Sequence, residues 1–139
     1  MAAGKSANEQ NEDVVRTFFK RLSASDFEGV RAILNKGAYW EVMVTGIPGV
    51  GKHQGRDTIV DKFLAPIRGL FKPGDPKIKI VNIFAKGPLV AIETRVRGTF
   101  ADGRPYRNKY AWVIEVRRGR IDAIREYMDS YYVHNLFAK

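Results

Sequence analysis

The segment from Val90 to Asp129 limits the possible folds of this chain more than any other, because it contains two β-hairpin patterns in succession. Strand-like stretches flank Asp102-Gly103, and an Asp-Gly pair between alternating residues is typical of a two-residue type I′ turn. The next turn contains Gly119, which suits a three-residue loop with glycine in the left-handed conformation. The segment therefore predicts a three-stranded antiparallel meander.

The two turn types also predict how the strands pair. A two-residue first loop pairs Ala101 with Arg104, and a three-residue second loop pairs Val116 with Arg120. Because side chains alternate between the faces of a strand, this register gives one face a defined set of residues: Glu93, Arg95, Asn108, Tyr110, Trp112, Ile124, Glu126 and Met128. A slip of one residue in either hairpin would move that strand's side chains to the other face.

Composition limits the class of protein. A chain of 139 residues is the size of one domain, and the absence of cysteine excludes a disulfide framework and thiolate chemistry. No apolar run approaches the roughly 20 residues that span a bilayer. The first ten residues also lack the apolar core of a secretory signal. We therefore expect a soluble, cytoplasmic protein without a membrane partner.

The net charge of +9 raises the question of an anionic partner. The basic residues are scattered, and the densest cluster, Arg117, Arg118 and Arg120, lies in a turn where solvated charge is ordinary. The main interpretation is a basic surface without a dedicated nucleic-acid site. Nucleic-acid binding and a basic lining for an acidic small molecule are the alternatives.

The rest of the chain predicts helices before the meander and one short element after it. Residues 1–8 read as a disordered tail, and 9–139 as a single domain. Periodicity and capping residues predict these elements in order: a helix capped by Asn8 or Asn11 and running to Leu22, a helix from Ser25-Asp26 to about Gly37, a strand over 38–44, a helix over 57–71 bent at Pro66, a strand over 77–84, and a short helix or strand over 131–139. This order indicates an α+β fold.

A glycine-rich stretch, TGIPGVGKHQGRD, satisfies GxxxxGK through Gly46, Gly51 and Lys52. In a phosphate-binding loop the next residue is Ser or Thr, which holds magnesium, whereas this chain has His53. Gly55 also delays the following helix. We therefore interpret residues 46–55 as a surface or pocket-rim loop. His53 and His134 stand apart from any second ligand at metal spacing, so no metal site is expected.

Several stretches resemble one family over about residues 9–137. They are the helix pair, AYWEV, the Gly-Arg-Asp before the third helix, VAIETRVRG, PYRNKY and RRGRIDAIREYMD. They resemble the SnoaL-like branch of the nuclear transport factor 2-like superfamily, which is related to polyketide cyclases, ketosteroid isomerases, limonene-epoxide hydrolase and the phenazine biosynthesis A/B proteins. The resemblance implies a strongly curved antiparallel or mixed sheet wrapped around three N-terminal helices, with a conical pocket. Apolar residues on both sheet faces and the resemblance together predict a homodimer through the outer face.

The resemblance also implies site residues. Glu93 and Arg95 match the Arg and acid pair of the epoxide hydrolase, although in reversed order, and Glu126 matches the last-strand acid of that enzyme and of the phenazine proteins. In the predicted register Arg95, Tyr110 and Glu126 share one row. Trp40 and Val42 replace the hydrolase's water-binding Tyr and Asn, and Val42 lies near the position of the isomerase's base, so neither of those two activities is expected.

We therefore expect an enzyme of the isomerase, cyclase or lyase type that acts on a mostly apolar small molecule without a cofactor. Glu126 would move a proton, with Arg95 and Glu93 tuning it. The residues expected to bind substrate are Asn108, Tyr110, Trp112, Trp40, Met128, Phe18 and Phe63. The open alternative is a non-catalytic ligand-binding or dimerisation module of the same fold.

Overall fold

The computed structural model describes residues 4–138 as helices packed on one mixed sheet. The helices are α1 (Ala7–Ser23), α2 (Phe27–Ile33), α3 (Ala65–Arg68) and α4 (Ser130–Phe137), and a π-helical segment, Thr58–Leu64, runs directly into α3. The strands are β1 (Leu34–Val42), β2 (Gly51–Gln54), β3 (Lys77–Lys86), β4 (Leu89–Thr99), β5 (Pro105–Arg117) and β6 (Arg120–Met128).

The six strands form a curled sheet in the order β2-β1-β6-β5-β4-β3. β1 and β6 are parallel, and every other neighbouring pair is antiparallel. The inner face of this sheet packs on the helices, where Phe18, Phe19 and Trp40 are among the largest fully buried side chains. The predicted α+β class with a mixed sheet is confirmed.

The first helix begins earlier than the sequence analysis expected. Ser6 caps it by accepting a hydrogen bond from the Glu9 backbone N–H at 3.1 Å, and the Ser6 hydroxyl donates to the Glu9 carboxylate at 3.2 Å. Ser6 is therefore the N-cap of α1, and the assignment of the cap to Asn8 or Asn11 is wrong. The end of the expected tail, Ala7 and Asn8, is helical, while residues 1–3 lie outside the described range.

Other boundaries also differ. α2 ends at Ile33 and β1 follows at once, rather than beginning near residue 38. The 46–55 stretch contains β2, where His53 pairs with Trp40. The helix expected over 57–71 consists of the π-helical segment and α3, which starts where the Ala65 N–H bonds the Val60 carbonyl.

The first hairpin has a longer loop than predicted. The ladder closes with Thr99 opposite Pro105, and the Phe100 N–H donates to the Arg104 carbonyl at 2.8 Å. The loop therefore has three residues and ends on Gly103, whose φ is 94°. This register differs from the predicted one by one residue, so the side chains of β4 point to the opposite face from the one expected.

The second hairpin also differs from the prediction, but its shorter turn and a shift in pairing together displace the strand by two residues. Arg118 and Gly119 both have positive φ, as in a two-residue type I′ turn, and the pairing shifts between Glu115 and Val116. Glu126 consequently lies opposite Trp112 instead of Tyr110, a displacement of two residues. Because an even displacement preserves the face, Glu126 still shares the inner face with β5 residues, as predicted.

Within residues 4–138, no helix has both the length and the apolar character needed to cross a membrane.

Candidate active site

An apolar cavity of about 150 Å³ lies between the inner face of the sheet and the helices. It is lined by side chains from β1, β5 and β6, from the helices around α3, from the loop before β2, and from α4. Its lining contains two charged residues, Glu126 and Arg68, and the hydroxyls of Tyr106 and Tyr110. A volume of this size holds a molecule as large as benzene, so the cavity suits a small ring.

Glu126 is the acid of this cavity. Its side chain belongs to β6 and is 8% exposed, and its Oε1 accepts a hydrogen bond from the Trp40 indole N–H at 2.7 Å. Burial raises the pKa of Glu126 to about 7, although the bond from Trp40 opposes that rise. A carboxyl group with this pKa exchanges a proton readily near neutral pH.

Two tyrosines on β5 form a hydroxyl pair beside the cavity. The Tyr106 and Tyr110 oxygens lie 2.5 Å apart, and Asn108 Nδ2 donates to the Tyr106 oxygen at 3.0 Å. Burial raises the pKa of Tyr110 well above its usual value, and the charges of Tyr106 and Glu126 raise it further. Both hydroxyls therefore stay protonated at neutral pH and can donate hydrogen bonds.

Aromatic rings hold these groups in place. Trp112 lies edge-on to Trp40, with ring centroids 5.6 Å apart, and stacks on Tyr110, with centroids 5.4 Å apart. Its indole N–H donates to Thr94 Oγ1 at 2.9 Å. Phe63 packs on Trp40 at 5.2 Å. This packing fixes the ring of Trp40, and with it the position of the Glu126 carboxylate.

The structure brings together most of the predicted site residues. The cavity lining includes Glu126, Tyr110, Trp112, Trp40, Met128 and Phe63. Asn108 lies behind Tyr106 and reaches the cavity only through it. Phe18, which was expected to bind substrate, does not line the cavity, because its ring is fully buried against Phe19 and Trp40.

Glu93 and Arg95 do not join Glu126, and the predicted placement of all three on one face is wrong. The one-residue shift in the first hairpin places Arg95 opposite Lys109 and Glu93 opposite Ala111, on the outer face of the sheet. There Glu93 accepts a hydrogen bond from Asn82 Nδ2 at 2.8 Å. The inner positions of β4 are instead filled by residues such as Thr94, and Glu126 has no arginine partner on the sheet.

The glycine-rich loop forms one wall of the cavity through Ile47 and Pro48. It is held on two sides: His134 Nδ1 bonds the Gly46 carbonyl at 2.7 Å, and His53 Nε2 bonds the Gly49 carbonyl at 2.7 Å. The interpretation of this stretch as a pocket rim therefore agrees with the structure. Both histidines bond backbone oxygens, and among residues 4–138 no cluster of three His, Cys, Asp or Glu is arranged to hold a metal ion.

Sequence reasoning missed two polar residues of the cavity, Tyr106 and Arg68. Tyr106 could have been found, because residues four apart on a strand share a face and Tyr110 was already placed there. Arg68 left no such signal, since an arginine in the last turn of a helix is ordinary.

The fold and site define a small α+β domain that encloses one acid-bearing apolar cavity. The chain belongs to the SnoaL-like domain family, and the match covers residues 15–130. A comparison with curated protein sequences gives no match.

Solved structures share this fold at low sequence identity. Bal32a, from a soil-derived mobile gene cassette, has a TM-score of 0.82 at 20% identity over 96% of this chain and 100% of its own. An LEH-like epoxide hydrolase from M. tuberculosis has a TM-score of 0.77 at 23% identity, over 94% of this chain and 90% of its own. TerC, co-crystallised with polyporic acid, has a TM-score of 0.80 at 17% identity over 91% of this chain and 97% of its own. At these identities the likeness is one of fold.

Proposed function

We propose that the protein is an enzyme that moves a proton on a small, mostly apolar carbonyl compound, by isomerisation, cyclisation or dehydration through an enolate. The observation that carries this proposal is Glu126: a buried carboxyl group with a pKa of about 7, anchored by Trp40 on the wall of an apolar cavity. No cofactor is needed for this step, because a carboxylate can accept the proton and return it to another atom.

The position of Arg95 on the outer face, away from Glu126, favours a role for Glu126 as a base. An arginine beside Glu126 would have stabilised the carboxylate and held its pKa low, which weakens it as a base. The surroundings of Glu126 are instead Trp40, Trp112 and the two tyrosine hydroxyls. A carboxylate in such a low-dielectric site is poorly solvated and accepts a proton more strongly than one in water.

The tyrosine pair would stabilise the enolate oxygen. Asn108 donates to Tyr106, and when Tyr106 in turn donates to Tyr110, the Tyr110 hydroxyl proton is left for a ligand oxygen. A hydrogen-bond chain of this kind strengthens its last donor, because each bond polarises the next. In this arrangement Tyr110 is the donor to the developing negative charge.

The alternative is a binding module that holds a ligand in the same cavity without converting it. The two functions differ in what Glu126 does. A binder uses it only as a hydrogen-bonding group, so its affinity would survive replacement by glutamine, whereas an enzyme would lose turnover.

The proposal is tested with a nitrobenzisoxazole, a small flat bicyclic compound that reports general-base catalysis. A base removes its ring C–H proton, the electron pair forms a nitrile, and the N–O bond breaks to give a coloured cyanonitrophenolate. We expect the rate to rise with pH and to level off above a midpoint near 7, because only ionised Glu126 accepts the proton. A rate that follows hydroxide concentration without a midpoint would contradict this function.

We further propose that the protein forms a homodimer through the outer face of the sheet. Phe84 is 64% exposed on this face, and its neighbours across the strands are Ala91 and then Val113. Tyr127 is 38% exposed in the next row, beside Ala111. Small residues in the centre make this patch flat, and acidic and basic side chains surround it, so a second copy can match it by two-fold symmetry.

Replacing Val113 with arginine should convert this dimer to a monomer, because a charge at the centre of the patch would be buried without a partner. Light scattering after gel filtration measures the mass directly. The control is arginine at Val50, which is similarly apolar and 44% exposed but lies in the loop before β2. A monomeric wild-type protein, or a Val113→Arg protein that stays dimeric, would refute this interface.

A further inference from the structure

Arg68 is a buried cation that the proposed chemistry does not use. It is the last residue of α3, it is 8% exposed, and it lines the same cavity as Glu126. The two residues come from different layers, because Arg68 belongs to the helical layer and Glu126 to the sheet. A ligand in the cavity therefore meets both a carboxyl group and a guanidinium group.

The protein holds the Arg68 guanidinium through only part of its donors. Nε donates to Ser25 Oγ at 2.9 Å, and Nη2 donates to the Pro76 carbonyl at 2.9 Å and to the Ser23 carbonyl at 3.3 Å. A guanidinium group has five N–H donors. Nη1 makes no hydrogen bond to any described residue, so its two N–H groups are open to a ligand.

The charge of Arg68 also lacks a partner. Arg68 forms no ion pair with any carboxylate in residues 4–138; the Asp75 carboxylate acts on it only from a distance and accepts the Thr99 N–H at 2.9 Å. Burial lowers the pKa of Arg68, yet an arginine stays charged in proteins. A buried charge without a directly bound counter-ion is unfavourable, so an anion bound at Nη1 would be stabilised.

The chemistry of the cavity limits what that anion can be. One guanidinium group balances one negative charge, and its planar donors match a carboxylate. Apart from Glu126 and the two tyrosine hydroxyls, the rest of the wall is mostly apolar, and the volume of about 150 Å³ admits a small ring with a short arm. A dianion such as a phosphate ester would place its second charge among apolar side chains or near Glu126.

We propose that the ligand of this cavity is a small cyclic or aromatic monocarboxylate, with its carboxylate bound to Nη1 of Arg68 and its ring against Trp40 and Trp112. This inference rests on the proposed function for the location of the site. It adds the substrate class: the group that Glu126 deprotonates belongs to a molecule whose carboxylate is bound by Arg68.

The test compares two probes of the same shape, phenylacetate and its uncharged analogue phenylacetamide. The only two tryptophans of the chain line the cavity, so quenching of their fluorescence measures binding. At pH 6, where Glu126 with its pKa of about 7 is mostly protonated, we expect phenylacetate to bind roughly 10- to 100-fold more tightly than phenylacetamide. Equal affinities, or no binding of either probe, would overturn the proposal.

Variants locate the effect. Arg68→Gln should lose most of the preference for phenylacetate and leave phenylacetamide binding almost unchanged, and Arg68→Lys should keep part of the preference. Arg16→Gln, which removes the same charge from an exposed position on α1, should change neither affinity. A preference that survives in Arg68→Gln would overturn the role of Arg68.

Two outcomes separate this inference from the proposed function. Arg68→Gln loses internal hydrogen bonds, so circular dichroism is used to check that this variant folds. The comparison of the two probes on the wild-type protein does not depend on any variant. A protein that prefers phenylacetate but does not open the nitrobenzisoxazole ring would keep the Arg68 site and lose the proton-transfer function. A protein that opens the nitrobenzisoxazole ring but does not prefer phenylacetate would keep the proton-transfer function and lose the Arg68 site.

Discussion

Replacing Glu126 with glutamine should slow the opening of the nitrobenzisoxazole ring roughly 100- to 10,000-fold, the range in which a positioned general base contributes. The glutamine oxygen can still accept the Trp40 N–H, so the cavity keeps its shape. The amide cannot take a proton at neutral pH. Stopped-flow or steady-state absorbance of the phenolate product measures this loss.

The matched control is Glu93→Gln. Glu93 lies on the outer face of the sheet and contacts Asn82, so its replacement should change the rate less than twofold. The pair of variants also compares the two registers directly, because the register predicted from the turn sequences placed both acids on one face. Equal losses in the two variants, or no loss in Glu126→Gln, would contradict the site described above.

The same glutamine variant should gain stability relative to the wild type as the pH rises. The folded-state pKa of Glu126 is about 7, against an ordinary value of 4.5. Between these values the unfolded chain releases the proton and the folded chain keeps it, so the wild type loses stability as the pH rises. The full effect is about 3 kcal/mol, because each pKa unit corresponds to about 1.4 kcal/mol.

Urea unfolding at pH 4.5, 6, 7.5 and 9 tests this expectation. The difference in the free energy of unfolding between Glu126→Gln and the wild type should grow through this range and stop growing above about pH 8. Groups that titrate equally in both proteins cancel in the difference. A difference that stays constant with pH would mean that Glu126 is solvated and has an ordinary pKa.

The sequence predicted the fold class and the acid of the site for reasons that can be traced. Alternation along β5 places Asn108, Tyr110 and Trp112 on one face, and this needs no turn geometry because all three belong to one strand. The predicted face of Glu126 then depended on the register of the second hairpin, where the error was an even number of residues, two. The prediction of its face was therefore correct although its partner was wrong.

The predicted face of Arg95 and Glu93 depended on the register of the first hairpin, where the error was one residue. Asp102-Gly103 suggests a two-residue turn, but Asp102 instead accepts the Arg104 N–H at 3.0 Å and widens the loop. Such a competition between a turn type and a local side-chain bond depends on small energies that a sequence pattern does not reveal. Arg68 lies beyond sequence reasoning for another reason, since its partners Ser23 and Ser25 come from a distant part of the chain.

The irregular pairing between Glu115 and Val116 has a consequence for how this domain can vary. Gaining or losing one residue between Val116 and Ile124 would rotate Glu126 out of the cavity and turn Tyr127 inward. Gaining or losing two would keep the acid on the inner face of the sheet, displaced by about 7 Å along the strand. Among active natural variants of this domain, insertions and deletions in the last hairpin should therefore change its length by even rather than odd numbers of residues.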